Sequence, residues 1–344
     1  MKAGVFSRWA VAGALCAFSG MASADLTSAG VWNGNVGLSV DGIGSNSAPV
    51  GTVQATIPIG ATVLQAYLYS AGTPFPFYPD SPNSLAAYNG AGISLAGVPI
   101  TNFSTLVGAT STRSDIGGWF TGRADVTSVV QGLVAGAATT NFNWTVTEGA
   151  ALNNRIDGEV LAIVYSHPSL PVGSVAFLNG GQNTAGETTT VNLGAPLGNP
   201  AAPGFAAQLG LGISFSCCGQ SSLVNVNGNP IATAAGNFDD GLAASDGSLI
   251  TVGGIGDTAA ILQSYENDRE LYDLRTFLST GATSFQIFTS NPTNDDNIFF
   301  ASLYLTGEIR DVTPGVPEPE TYAMMLAGLG LLGFIARRRR QAAA

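Results

Sequence analysis

A chain of 344 residues with 45% hydrophobic and only 10% charged residues has enough apolar surface to build a core, which excludes a disordered chain. Residues 25–320 hold all 23 carboxylates against six arginines and no lysine, a balance of about −17 within a formal net charge of −11. Such a body lacks the basic patches that bind nucleic acid or anionic membrane surfaces, and without lysine it has no Schiff-base or ammonium catalysis.

At the N-terminus, Lys2 and Arg8 precede an apolar stretch over residues 9–18, and Ala22-Ser23-Ala24 offers a small-x-small site before Asp25. Residues 1–24 therefore read as a secretory signal helix, with Ala22 and Ala24 marking the cut by signal peptidase. Cys16 leaves with it, because Leu15 stands where a lipid-modification site needs a small residue. Only Cys217 and Cys218 then remain, with Cα atoms ~3.8 Å apart against the ~4.4 Å or more of a comfortable disulfide. The fold has to stand on core packing.

Beyond the signal peptide, residues 31–40 alternate weakly around Gly34 and Gly37, and residues 52–57 alternate cleanly. After a turn at 58–61, residues 62–69 are apolar on both faces in their middle, as a central sandwich strand is. The proline-rich segment 72–84 reads as a long loop. Residues 93–100 form a hairpin whose Pro99 marks an edge. Asp125 precedes a short helical spacing over 126–130, and strands follow at 141–147 and 158–166.

The second half repeats this order. Strands at 173–178 and 188–193 precede one at 205–215, and the hairpin at 224–231 shares the Gly-x-Pro-Ile ending of the first. Residues 273–278 echo 125–130, 283–289 echo 141–147, and 297–307 echo 158–166. The expected fold is all-β: two tandem β-sandwich (jelly-roll-like) units, 25–170 and 171–311, with 312–344 as a separate tail. The length also favours two domains. The phrases at 61–69, 164–171 and 295–300 loosely resemble β-rich bacterial surface and adhesin-like proteins, which implies architecture more than activity.

In the tail, Val316-Pro317-Glu318-Pro319-Glu320 leads to an apolar run over 322–336, closed by Arg337, Arg338, Arg339 and Arg340. The prolines cannot extend a helix backwards. As a transmembrane helix the run spans ~22 Å, short of a ~30 Å hydrocarbon core, and the arginines hold its end in the cytoplasm. A short span with a basic stop suits a sorting signal better than a permanent anchor. Motif, span and arginine cluster in this order resemble the PEP-CTERM sorting signal of Gram-negative bacteria. The resemblance covers about the last thirty residues. It implies that Pro317, Glu318 and Pro319 are read by an exosortase, that the inner membrane holds the chain transiently, and that delivery is to the cell surface or extracellular matrix. A link to exopolysaccharide and biofilm is likewise what the resemblance implies.

The body is chemically quiet. His167 is the only histidine, too few for a zinc site, and it lies between a strand end and Pro168 with no nucleophile elbow nearby. Asp239 and Asp240, with Asp246, and the pair Asp295 and Asp296 are oxygen-rich turns, weak candidates for Ca2+ because neither has EF-hand spacing. Glu148, Asp157 and Glu159, flanking Trp144, are the nearest thing to a glycosidase carboxylate pair. Trp119, Phe120, Phe142 and Trp144 either stack sugars or fill the core. The expected function is non-catalytic and needs no cofactor: an exported, exosortase-processed structural or adhesive protein. A calcium-dependent carbohydrate-binding module is the alternative and a secreted hydrolase the third reading.

Overall fold

The computed structural model describes residues 26–44, 49–76, 85–106, 117–149, 156–182, 186–214, 222–235, 250–251, 271–292, 297–314, 328–330 and 332. The first half of the body runs β1 (Thr27–Gly34), β2 (Val36–Gly44), β3 (Val50–Thr56), β4 (Thr62–Pro76), α1 (Leu85–Gly90), β5 (Ser94–Leu95), β6 (Val98–Pro99), β7 (Ser104–Leu106), β8 (Gly117–Asp125), α2 (Thr127–Val134), β9 (Asn141–Thr147) and β10 (Ile156–Ser166). The second runs β11 (Gly173–Asn179), β12 (Glu187–Leu193), β13 (Ala207–Ser214), β14 (Ser222–Val226), β15 (Asn229–Ala235), β16 (Ile250–Thr251), β17 (Leu271–Asp273), β18 (Ser284–Ser290), β19 (Asn297–Leu305) and β20 (Ile309–Pro314).

These strands form four antiparallel sheets stacked as layers. Layer I is β3-β9-β5-β6, layer II β2-β10-β4-β8-β7, layer III β1-β11-β19-β13-β16 with β17 also on β13, and layer IV β15-β14-β18-β12-β20. Replacing β2, β3, β4, β5, β6, β8, β9 and β10 by β11, β12, β13, β14, β15, β17, β18 and β19 turns the order β2-β10-β4-β8 into β11-β19-β13-β17, and β3-β9-β5-β6 into β12-β18-β14-β15. Each half is thus an eight-stranded jelly roll, and the chain is the tandem pair that its sequence echoes predict.

The layering explains the burial pattern of each strand. Outer strands alternate, as in β3 and β9, because one face meets solvent. The inner strands β10 and β11 are buried along nearly their whole length, because each has a sheet on both faces. Three cores result. One lies between layers I and II, one between III and IV, and a third between II and III, where Val36, Val160, Ala162 and Val164 meet Val175, Phe177, Phe299 and Phe300.

Aromatic contacts bind the central core. Tyr69 lies 4.9 Å from Phe300, Phe177 lies 5.3 Å from Phe300, and Trp32 meets Phe177 edge-on at 5.4 Å, measured between centroids. Each such pair contributes ~0.5–1.5 kcal/mol beyond the area it buries. With both faces of the inner sheets apolar, neither sandwich is water-compatible on its central face.

Four features depart from the sequence expectation in detail. Residues 31–40 are not one strand: the chain breaks at Asn35, so that β1 pairs with β11 in layer III while β2 pairs with β10 in layer II. The first strand of the body therefore completes the sheet of the second half. β4 runs on through Pro74 to Pro76, beyond Gly72, where its pairing with β10 ends and only β8 remains. An edge tolerates proline there. The proline-rich segment also gives way to α1 at Leu85. Residues 275–277 form a 3-10 turn where the first half has α2. In both halves an aspartate two residues before bonds the start of the turn: Asp125 Oδ1 accepts from Thr127 N and Asp273 Oδ1 from Arg275 N, each at 2.9 Å.

The two hairpin turns also match. Ala96-Gly97 and Asn227-Gly228 all have positive φ, as a two-residue turn of type I′ demands. The outward edge of β3 is closed by β2 side chains: Gln54 N donates to Asp41 Oδ2 at 2.5 Å and Thr56 N to Ser39 Oγ at 3.0 Å. This removes free donors from an exposed sheet edge.

The expected signal helix lies outside the described residues. Of the expected sorting helix only residues 328–330 and 332 are described, and they are helical. Among the described residues no helix is long and apolar enough to cross a membrane.

Candidate functional site

In layer II, Ser70 on β4 stands opposite Glu159 on β10, two residues along from the core residues Leu68 and Leu161. Strand alternation turns both toward layer I, and Ser70 Oγ donates to Glu159 Oε1 at 3.1 Å. The next residue across, Gly122 on β8, has no side chain, and the rings of Phe103 and Tyr88 fill its place. Tyr88 comes from α1. Glu148 arrives just after β9, where its N donates to Pro49 O and Gly149 N donates to Ala91 O, both at 2.8 Å. A Cβ on Gly149 would collide with that Ala91 carbonyl oxygen, so only glycine lets the chain pass this close.

Glu148, Asp157, Glu159, Tyr88 and Ser70 thus converge inside the first sandwich, all of them buried. Burial pushes the Glu159 carboxyl up to about 7; hydrogen bonds with Glu148 and from Ser70 oppose this, and the negative charge of Asp157 adds to it. Burial likewise holds the Tyr88 phenol well above its ordinary value, reinforced by the fields of Asp157 and Glu159. Such a cluster retains a proton near neutrality where an exposed glutamate would have lost it.

The sequence reading singled out these three carboxylates, and the structure does bring them together. It also encloses them. Trp144 does not form a cleft beside them: it is buried in the core, stacked on Phe142 at 5.2 Å. Tyr88 and Ser70 carry no sequence signal for this role, because their approach depends on the β4–β10 register and on α1. Among the described residues no group of three His, Cys, Asp or Glu is arranged to hold a metal ion. Asp239, Asp240, Asp246, Asp295 and Asp296 lie outside the described residues, as do Cys217, Cys218 and the side chains of Trp119 and Phe120.

His167 lies in the turn between the two halves. Its Nδ1 is 2.7 Å from Ser169 Oγ and accepts from Ser169 N at 3.2 Å. His167 N donates to Asn35 O at 3.0 Å, and Asn35 Nδ2 to Leu170 O at 2.6 Å. These bonds fasten the linker to the crossing between β1 and β2. At this end of the first sandwich there is a cavity of 570 Å3 between the β3–β4 turn and the end of α2.

Both ends of the body leave at one place. Leu26 N donates to Glu187 Oε2 at 3.2 Å, and two residues along β12 Thr189 pairs with Pro314. The strand β20 ends at Pro314, and residues 315–340 match the family model for the PEP-CTERM protein-sorting motif. That segment includes Pro317, Glu318, Pro319, Arg337, Arg338, Arg339 and Arg340, which, like Ala22 and Ala24, lie outside the described residues. No curated protein matches the chain significantly. The tail thus carries a PEP-CTERM sorting motif, which implies export, transient membrane anchoring and processing by exosortase.

Proposed function

We propose that the body is a non-catalytic structural or adhesive module of the cell surface or extracellular matrix of a Gram-negative bacterium, held in an exopolysaccharide or biofilm layer. The observation that carries this reading is the join between body and tail. The last strand ends at Pro314, one residue before the sorting motif begins, and the first strand starts beside it. The folded body hangs from the membrane by one end, with no long linker, and release near residues 317–319 frees it as a compact unit. Burial of Glu148, Asp157 and Glu159 supports a role without turnover, because side chains so little exposed do not meet a polymeric substrate. The fixed negative balance of residues 25–320 favours a neutral or cation-bridged polysaccharide over an acidic one.

Fractionation of the native host tests this. The mature protein is expected in the polysaccharide layer and is expected to be released when that layer is digested enzymatically. Recovery of the mature protein as a free periplasmic species, unaffected by digestion, contradicts it.

A further inference from the structure

The two jelly rolls differ at one end. Ile57 N donates to Thr140 O at 2.8 Å in the first, and Leu193 N to Thr283 O at 2.9 Å in the second, which sets these ends in register. From there the first sandwich reaches β4 through residues 58–61, whereas the second takes residues 194–206 to reach β13. The longer connection folds back on its own sandwich. Leu197 N donates to Ala282 O and Leu197 O accepts from Gly281 N, both at 2.8 Å, and Leu197 and Phe205 join the core that holds Leu278 and Phe285.

In the first sandwich the counterparts of Gly281 and Ala282 are Ala138 and Thr139, both exposed, and Thr139 lines the 570 Å3 cavity. Nothing from the short β3–β4 turn fills that space. Ala61, Val134 and Ala137 are left half-buried, and Ile59 is 55% exposed. No charged side chain lines the cavity, although the chain as a whole carries −11. An acidic guest would meet the field of the body, and a basic one would find no carboxylate in the lining. The volume falls within the ~300–1,000 Å3 of ordinary ligand sites.

We propose that this cavity is a docking groove for an uncharged, leucine-bearing peptide segment of a partner protein, seated as residues 194–206 are seated in the second sandwich. The guest leucine packs on Val134 and Ala137, and the guest backbone pairs with Ala138 and Thr139 as that of Leu197 pairs with Gly281 and Ala282. The proposal stands apart from the sorting reading, since it rests only on the comparison of the two halves.

The probe is a synthetic peptide with the sequence of residues 194–206, titrated by calorimetry into the exported chain. Saturable one-to-one binding is expected, weakened at least tenfold when the peptide leucine is changed to aspartate or the protein carries Ile59→Asp. Ile59 is exposed, so that variant keeps the fold. In a second chain, residues 58–61 are replaced by the sequence of 194–206, so that the buried Ile57, the counterpart of Leu193, is kept. This graft is expected to raise the melting temperature by at least ~2 °C and to abolish peptide binding. Absence of saturable binding, binding indifferent to Ile59→Asp, a concentration-dependent dimer seated on the same residues, or a graft that lowers the melting temperature each overturns the proposal.

Discussion

Asn179, the last residue of β11 in the second sandwich, donates its Nδ2 hydrogen bond to the buried phenol oxygen of Tyr69 in the first, at 3.1 Å. The bond crosses from layer III to layer II through the central core, with Phe299 and Phe300 against the same tyrosine ring. It is a buried polar bond across a mostly apolar interface, so it helps to fix the angle at which the two jelly rolls meet.

Removing the Tyr69 hydroxyl leaves the buried Asn179 amide without this bond, and removing Asn179 leaves the phenol with Arg123 alone. Tyr69→Phe is expected to destabilise the protein by ~1–3 kcal/mol, as is Asn179→Ala. The double variant should cost less than the sum, because neither group is then stranded. Chemical denaturation checks this. Strict additivity would mean that the bond does not couple the halves.

The first sandwich separated from the second is expected to self-associate. A fragment of residues 36–170 exposes Tyr69, Val160, Ala162 and Val164, all buried in the intact chain. A contiguous apolar face of that kind does not remain in water. Sedimentation velocity of the fragment should show oligomers, and the intact body should unfold in one transition. A monodisperse, folded fragment would count against the central core as a real coupling.

Glu159 sets a pH dependence opposite to that of most carboxylates. Its folded value of about 7 lies above its ordinary 4.5. Below 4.5 both states hold the proton and nothing is lost. Between 4.5 and 7 the unfolded chain releases the proton while the folded chain keeps it, so stability falls as pH rises. Above 7 the loss is complete, at roughly 3 kcal/mol. Glu159→Gln is expected to flatten this slope and to raise the melting temperature at pH 8, with little change near pH 4.5. An unchanged slope would assign the dependence to other groups.

Gly149→Ala is expected to destabilise by ~1–3 kcal/mol or more, since the new methyl meets backbone rather than a movable side chain. Thermal unfolding reads the loss. A neutral effect would show that the 148–149 segment moves freely away from Ala91.

Much of the architecture was legible because alternation and its absence report how many faces of a strand are covered. Residues 52–57 alternate and lie in an outer sheet, while 62–69 are apolar on both faces in their middle and lie in an inner one. The repeated Gly-x-Pro-Ile phrase marked equivalent hairpins, because both turns need the same left-handed pair. The crossing at Asn35 was not legible. Nothing local in β1 or β2 states which sheet each joins, since that choice is made by β11 and β10 more than a hundred residues away. The convergence of Tyr88 and Ser70 on the carboxylates was hidden for the same reason.

Intact-mass and peptide mass spectrometry of the mature protein from its native host tests the central claim most directly, namely that this is a body exported and then trimmed at both ends. The expected chain begins at Asp25 and ends at or just beyond residues 317–319. A surface-located protein that still carries Arg337, Arg338, Arg339 and Arg340 would contradict it.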